Sequence, residues 1–227
     1  MNIDYGHSPY HSFAGQTLHW LPMDTRELYE KNLKDNFIEL EKYGWVNSSF
    51  TYNFNKSGFR CQEFNTSLSI VFLGASVTTG IGLPEECIWT TIVAKKLNLT
   101  PYNLGVGGAA NDTSFRLAYY WLDKLKPHVV VNLQTFNHRT EIFTIKKFEN
   151  NHELGEFEHC WTLSEINGNL NKLKNNLAIA KLCENLKIHY VSLEATDMEP
   201  YKDLARDLYH PGKITNSDFA DYVLSKI

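Results

Sequence analysis

The sequence predicts an α/β protein of three-layer α/β/α type: a parallel, flavodoxin-like sheet preceded by an N-terminal helix and hairpin extension. Two observations carry this reading. From residue 68 onward the apolar runs "SLSIVFL", "YNLG", "HVVVNLQ" and "IHYVSL" alternate with stretches of helical period, such as "IWTTIVAKKL" and "TSFRLAYYWLDKL". Strands separated by helices must be joined by crossovers, and right-handed crossovers build a parallel sheet with helices on both faces. The chain also has 227 residues, of which 43% are hydrophobic, enough to enclose the core of one such domain.

Residues 1–67 read as an extension packed on the core, and residues 68–227 as the main domain. In the extension, Asp24 followed by Glu27 has the form of a capping box. Tyr29, Leu33, Phe37 and Leu40 then recur at helical spacing, and Gly44 sits where a helix would stop. One amphipathic helix is expected there. "FTYNFNKSGFR" alternates aromatic and polar residues around Lys56, Ser57 and Gly58, which predicts a short hairpin or two extended pieces. In the main domain, residues 137–162 break the strand–helix rhythm and are expected to form an inserted lobe, with Phe157 and Trp161 as candidates for lining a subsite. Leu163, Ile166, Leu170, Leu173, Leu177 and Ala180 then keep a helical period up to the last strand.

Composition excludes several function classes. The formal charge is −4 and the basic residues are spread along the chain, so neither a nucleic-acid footprint nor a polybasic membrane arm is present. No basic start precedes an apolar run and no stretch reaches membrane-spanning length, so a cytoplasmic protein without a membrane partner is expected. Cys61, Cys87, Cys160 and Cys183 are widely spaced and read as reduced thiols, signalling neither a disulfide framework nor a metal site.

In an open parallel sheet, ligands collect at the carboxyl ends of the strands. The loops leaving those ends are "LGASVTTGIGL", "NLGVGGAAND" and "NLQTFNHR", and "DLYHP" lies in a fourth. Ser76 follows a glycine turn off its strand, where a hydroxyl could act as nucleophile or simply cap a helix. Gly105 to Ala110 spell G-x-G-x-x-A, the form of a dinucleotide fingerprint, but "VVVNLQ" offers Asn132 and Gln134 where that motif wants an acidic residue. Asp207 stands three residues before His210, able either to orient the imidazole for proton transfer or to form a surface pair. No further residues are spaced to complete a metal site with them.

Together these stretches resemble the SGNH, or GDSL-like, hydrolase family. Its first block is matched by "LGASVTTG", its N-x-G block by "NLGVGG", and its D-x-x-H-P block by "DLYHP", in the same order across residues 68–227. The resemblance implies that Ser76 is the nucleophile, that the backbone N–H groups of Ser76 and Gly107 are oxyanion donors, that His210 is the general base, and that Asp207 orients it. Two departures stand out. The Asp that precedes the family's Ser is Ala75, and the G-x-N-D block is not recognisable in "NLQTFNHR", which leaves Asn137 as the nearest candidate for the side-chain oxyanion donor. The implied activity is that of a serine esterase or carbohydrate O-deacetylase acting on a small-molecule or carbohydrate ester without metal or cofactor. A non-catalytic glycan- or ligand-binding domain and a nucleotide-binding oxidoreductase are the alternatives.

Overall fold

The computed structural model describes residues 5–65, 67–143, 148–150 and 165–227. Along the extension, β1 (Thr17–Leu18) is followed by α1 (Arg26–Asp35) and α2 (Phe37–Lys42), and then by β2 (Tyr52–Asn53), which pairs antiparallel with β1. The single expected helix is thus two, because Asn36 leaves helical geometry at φ −133° and ψ 33°. The cap also differs from expectation. Thr25 Oγ1 accepts the Leu28 N–H at 3.1 Å, as a helix N-cap should, while Asp24 is only 1% exposed. Its carboxylate instead accepts hydrogen bonds from Arg206 Nε at 3.1 Å and Nη2 at 2.6 Å and from the Tyr52 hydroxyl. A carboxylate buried this deeply is stable only when paired and hydrogen-bonded, and here every partner comes from far along the chain.

The main domain contains β3 (Ser69–Leu73), α3 (Ser76–Thr79), α4 (Trp89–Lys96), β4 (Thr100–Asn103), α5 (Asn111–Leu125) and β5 (Val129–Gln134). The short antiparallel pair β6 (Glu141–Phe143) and β7 (Phe148–Asn150) follows, then α6 (Glu165–Leu186), β8 (His189–Glu194) and α7 (Lys213–Leu224). Strands β4, β3, β5 and β8 form one sheet in that order, all parallel. Alternate residues of each strand feed two cores, as the two-residue repeat of a strand requires. Val71, Leu73 and Val130 join Leu117 and Leu122 of α5 and Ile179 and Cys183 of α6. Ile70, Phe72, Val131 and Leu193 join Trp89 and Val93 of α4 and Phe219 and Val223 of α7. The extension enters both cores, Tyr10, Tyr52, Phe54 and Phe59 on the first side and Leu40 and Trp45 on the second.

Helix α6 faces the opposite way from its leucine pattern. Ile166, Leu170, Leu173 and Leu177 are exposed, while Gly168, Asn171, Asn175, Ile179 and Cys183 are buried. The reason is polar. Asn171 Nδ2 and Asn175 Nδ2 donate to the half-buried Asp112 carboxylate of α5 at 2.8 and 3.0 Å, and turning the leucines inward would strip those partners from it. Within 137–162 the described residues form the β6–β7 pair. Glu141 of β6 holds Arg116 of α5 in a two-pronged, almost fully buried pair at 2.8 Å. Phe157 and Trp161 lie outside the described residues.

Cys61, Cys87 and Cys183 carry free thiols, all pushed up in pKa by burial. Among the described residues no helix is long and apolar enough to cross a membrane, and no cluster of His, Cys, Asp or Glu is arranged for a metal.

Because removing one partner of a buried ion pair strands the other, Asp24→Asn should lower the unfolding free energy by about 3–5 kcal/mol. Urea denaturation measures this. A loss below about 1 kcal/mol, the scale of an exposed ion pair, would show that Arg206 finds other compensation.

Candidate active site

The chain leaves β3 through Gly74, whose φ is +149°. A Cβ there would come within 2.3 Å of Thr78 Oγ1 and 3.0 Å of the Leu133 carbonyl, so only glycine fits this turn. Ser76 follows at the start of α3, half-buried, behind Ala75 at the N-cap, which has no side-chain acceptor to offer. The backbone beyond Ser76 is held from the extension. Arg60 Nη1 donates to the carbonyls of Thr79 and Gly80 at 3.1 and 2.6 Å, and its Nη2 to that of Leu83 at 2.7 Å, with the guanidinium over the Tyr52 ring. Asn103, at the end of β4, donates to the Thr78 carbonyl at 2.6 Å and accepts the Gly105 N–H at 3.0 Å, joining the loops after β3 and β4.

The fourth loop is a tight reversal between Asp203 and Gly212. Ala205 N–H donates to the His210 carbonyl at 2.8 Å and Gly212 N–H to the Asp203 carbonyl at 2.9 Å. The Asp203 carboxylate caps α7 by accepting the N–H groups of Ile214 and Thr215, both at 2.9 Å. At the tip, Leu208 takes a left-handed φ of +57°. This folds the chain so that Asp207 Oδ1 accepts the N–H groups of Tyr209 and His210 at 3.0 Å, while Oδ2 lies 2.5 Å from His210 Nδ1. Both side chains are buried. The D-x-x-H cluster is therefore a built unit that fixes the imidazole through Nδ1, leaving Nε2 as its other nitrogen.

Ser76, Gly107 and His210 line one cavity of about 470 Å³, together with Tyr10, Pro22, Met23, Ile81, Gly108, His138, Arg139 and Tyr209. It sits beyond the carboxyl ends of the strands, where the loops from β3, β4, β5 and β8 meet, and its size suits a small organic ligand. Two expected donors are placed differently from the sequence reading. The Gly107 N–H donates to the Tyr10 hydroxyl at 2.8 Å, so the phenol stands between that amide and the cavity. Asn137 is not among the lining residues; its Nδ2 donates to Asn169 Oδ1 at 2.7 Å, drawn toward α6. His138 and Arg139, its neighbours, line the cavity instead.

Tyr10, Arg60 and Arg139 were not singled out from sequence. Tyr10 and Arg60 lie in the extension, remote in sequence from the loops they touch, so no local motif marks them. Burial raises the Tyr10 pKa from 10.0 to about 12, with the Gly107 N–H pulling the other way, so the hydroxyl stays protonated throughout the neutral range.

No family model matches the chain, and no curated protein matches it. Among solved structures, the chain is similar to the psychrotrophic esterase EstA from Pseudoalteromonas sp., at 13% identity over 70% of this chain and 95% of that one, with a TM-score of 0.40. It is also similar to an acetyl xylan esterase from the rumen bacterium Butyrivibrio proteoclasticus (15% identity, 78% and 66% coverage, TM-score 0.39). A third similarity is to a family two carbohydrate esterase from Cellvibrio japonicus (13%, 70% and 59%, TM-score 0.38). At TM-scores this low the likenesses carry no argument about chemistry, which rests on the residues themselves.

The Tyr10 hydroxyl supplies a stability test with a definite sign. The unfolded phenol ionises near 10 and the folded one near 12. The raised folded value therefore contributes stability that is fully present below pH 10 and is lost as pH rises toward 12. Tyr10→Phe should flatten the decline in unfolding free energy across that window, read by denaturant titration at successive pH values. An unchanged slope would mean the phenol is not buried as drawn.

Proposed function

We propose that this chain is a serine-dependent hydrolase of carboxylic esters, with Ser76 as nucleophile, His210 as general base and Asp207 as its orienter. The observation that carries the reading is the convergence of Ser76 and His210 on one cavity, with the imidazole already held through Nδ1 by a buried carboxylate. A hydroxyl is a weak nucleophile until a base takes its proton, and a base serves only if its ring is oriented and its cationic form stabilised. Asp207 supplies both needs.

In the proposed reaction Ser76 Oγ attacks the ester carbonyl while its proton passes to His210 Nε2. The tetrahedral intermediate collapses as His210 returns that proton to the leaving alcohol, and the C–O bond to the alcohol breaks. Water then attacks the acyl group on Ser76 with His210 again as base, and the acid is released. The oxyanion is met by the Ser76 N–H and by the Tyr10 O–H. Tyr10 takes the place of the Gly107 amide: by accepting that N–H, the phenol is fixed in position and made a stronger donor through the same hydrogen-bond chain. Carbohydrate esters, including O-acetyl groups, fall within the proposed substrate range. The dinucleotide reading has less support, since Asn132 and Gln134 stand where that motif wants a carboxylate for the ribose, and their amide nitrogens donate to Tyr190 and to Ser192 and Glu194.

A fluorophosphonate should add covalently to Ser76 in the wild type and fail to add to His210→Ala, and Ser76→Ala and His210→Ala should each remove nearly all turnover of a short aryl ester, with the double variant little worse, because the two act as a unit. Equal labelling of both proteins, or none of a folded wild type, would move the chain to a binding role. Tyr10→Phe has a sign that separates donor from obstruction. As an oxyanion donor its loss should cut kcat by about 10²–10³, whereas a gain in rate would identify the phenol as a plug over the Gly107 amide.

A further inference from the structure

The arginines of this chain differ in how their charge is met. Arg26 pairs with Glu30, Arg116 with Glu141 and Arg206 with Asp24, and Arg60 is held by three backbone carbonyls. Arg139 is the exception among the described residues. It is partly buried in the turn after β5, and its guanidinium meets one neutral acceptor, Thr135 Oγ1, at 3.2 Å, and the Phe136 ring at 5.5 Å from its centroid. Burial lowers its pKa, and the one charge-based cause acting against that is the Tyr209 phenol, not a carboxylate.

Its position gives this a consequence. Arg139 lines the cavity that holds Ser76 and His210, and none of the described residues lining that cavity is acidic, although the chain as a whole carries a formal charge of −4. The side of the cavity formed by the β5 turn is therefore a local positive region on a negative protein. A guanidinium removed from water without a counter-charge is costly, and its planar fork of N–H donors matches the two oxygens of a carboxylate. A ligand bringing that group would give Arg139 the counter-charge that it lacks among the described residues.

We propose that Arg139 forms an anion subsite beside the reacting centre and that the preferred ester carries a carboxylate on the part lying against the Thr135–Arg139 turn. The word ester rests on the hydrolase reading, but the subsite does not.

Two pairs of esters of similar size and shape test it. para-Nitrophenyl hemisuccinate against para-nitrophenyl valerate places the charge on the acyl side, and para-acetoxybenzoate against para-acetoxybenzamide places it on the alcohol side. The wild type should favour the charged member of at least one pair by about 10- to 100-fold in kcat/KM, the scale of hydrogen bonds to a charged group. Arg139→Gln should bring that ratio close to one, and Arg139→Lys, which keeps the charge but loses the fork, should retain part of it. The same preference should appear without turnover, as ligand-induced thermal stabilisation of Ser76→Ala by the charged member and its loss in Ser76→Ala/Arg139→Gln. Turnover with no charge preference in either pair, or a preference that survives Arg139→Gln, overturns the subsite while leaving the hydrolase standing. Charge-dependent binding without turnover leaves the subsite standing and overturns the hydrolase.

Discussion

The buried carboxylate of Asp24 is the point on which the site's geometry depends. It accepts from Arg206, the residue beside Asp207, and from the Tyr52 hydroxyl. That hydroxyl in turn accepts the Gly82 N–H at 2.8 Å, and the Gly82 carbonyl accepts the Arg206 N–H at 3.1 Å. A closed circuit thus links the loop following Ser76 to the loop carrying His210. Loops are ordinarily more mobile than the strands they leave, and β5 separates these two strands in the sheet; here a residue from neither loop sets their spacing. The Arg206 guanidinium also packs against the Trp20 and Phe50 rings, its carbon 4.1 and 3.9 Å from their centroids, so the circuit is dry and its hydrogen bonds correspondingly strong.

The same device recurs on a smaller scale. Tyr10 reaches Gly107, Arg60 the carbonyls after Ser76, Trp45 Nε1 the Leu204 carbonyl at 2.8 Å, and Asn32 the Asp207 carbonyl at 3.5 Å. Each contact joins the extension to a loop at the carboxyl edge of the sheet. The extension acts as a brace for that edge, and the parallel sheet supplies the platform. Holding a nucleophile and a base within reach of one ligand requires placement to a fraction of an ångström, which four short loops would not keep unaided.

Reading α6 from its sequence alone misorients it for an instructive reason. The leucine period is real and the helix forms, yet the buried face is set by Asn171 and Asn175, which meet the Asp112 carboxylate. Hydrophobic periodicity reports which residues share a face, not which face a distant carboxylate needs. Asp24 misleads in the same way. A local rule assigns it to a helix cap, but Thr25 caps equally well and frees Asp24 for a partner at position 206.

What the sequence by itself determined is everything that local chemistry dictates: the alternation of strands and helices, hence the parallel sheet; the glycine turn that ends at Ser76; and the Asp207–His210 pair, whose three-residue spacing lets one carboxylate bind two backbone amides and a ring. Tertiary structure decided what depends on partners remote in the chain. It set the Gly107 amide against Tyr10, drew Asn137 away toward Asn169, and left Arg139 in the cavity without a counter-charge among the described residues. The physical reason is that a buried polar group takes whichever partner the packed core presents to it, and that choice has no signature in the few residues on either side.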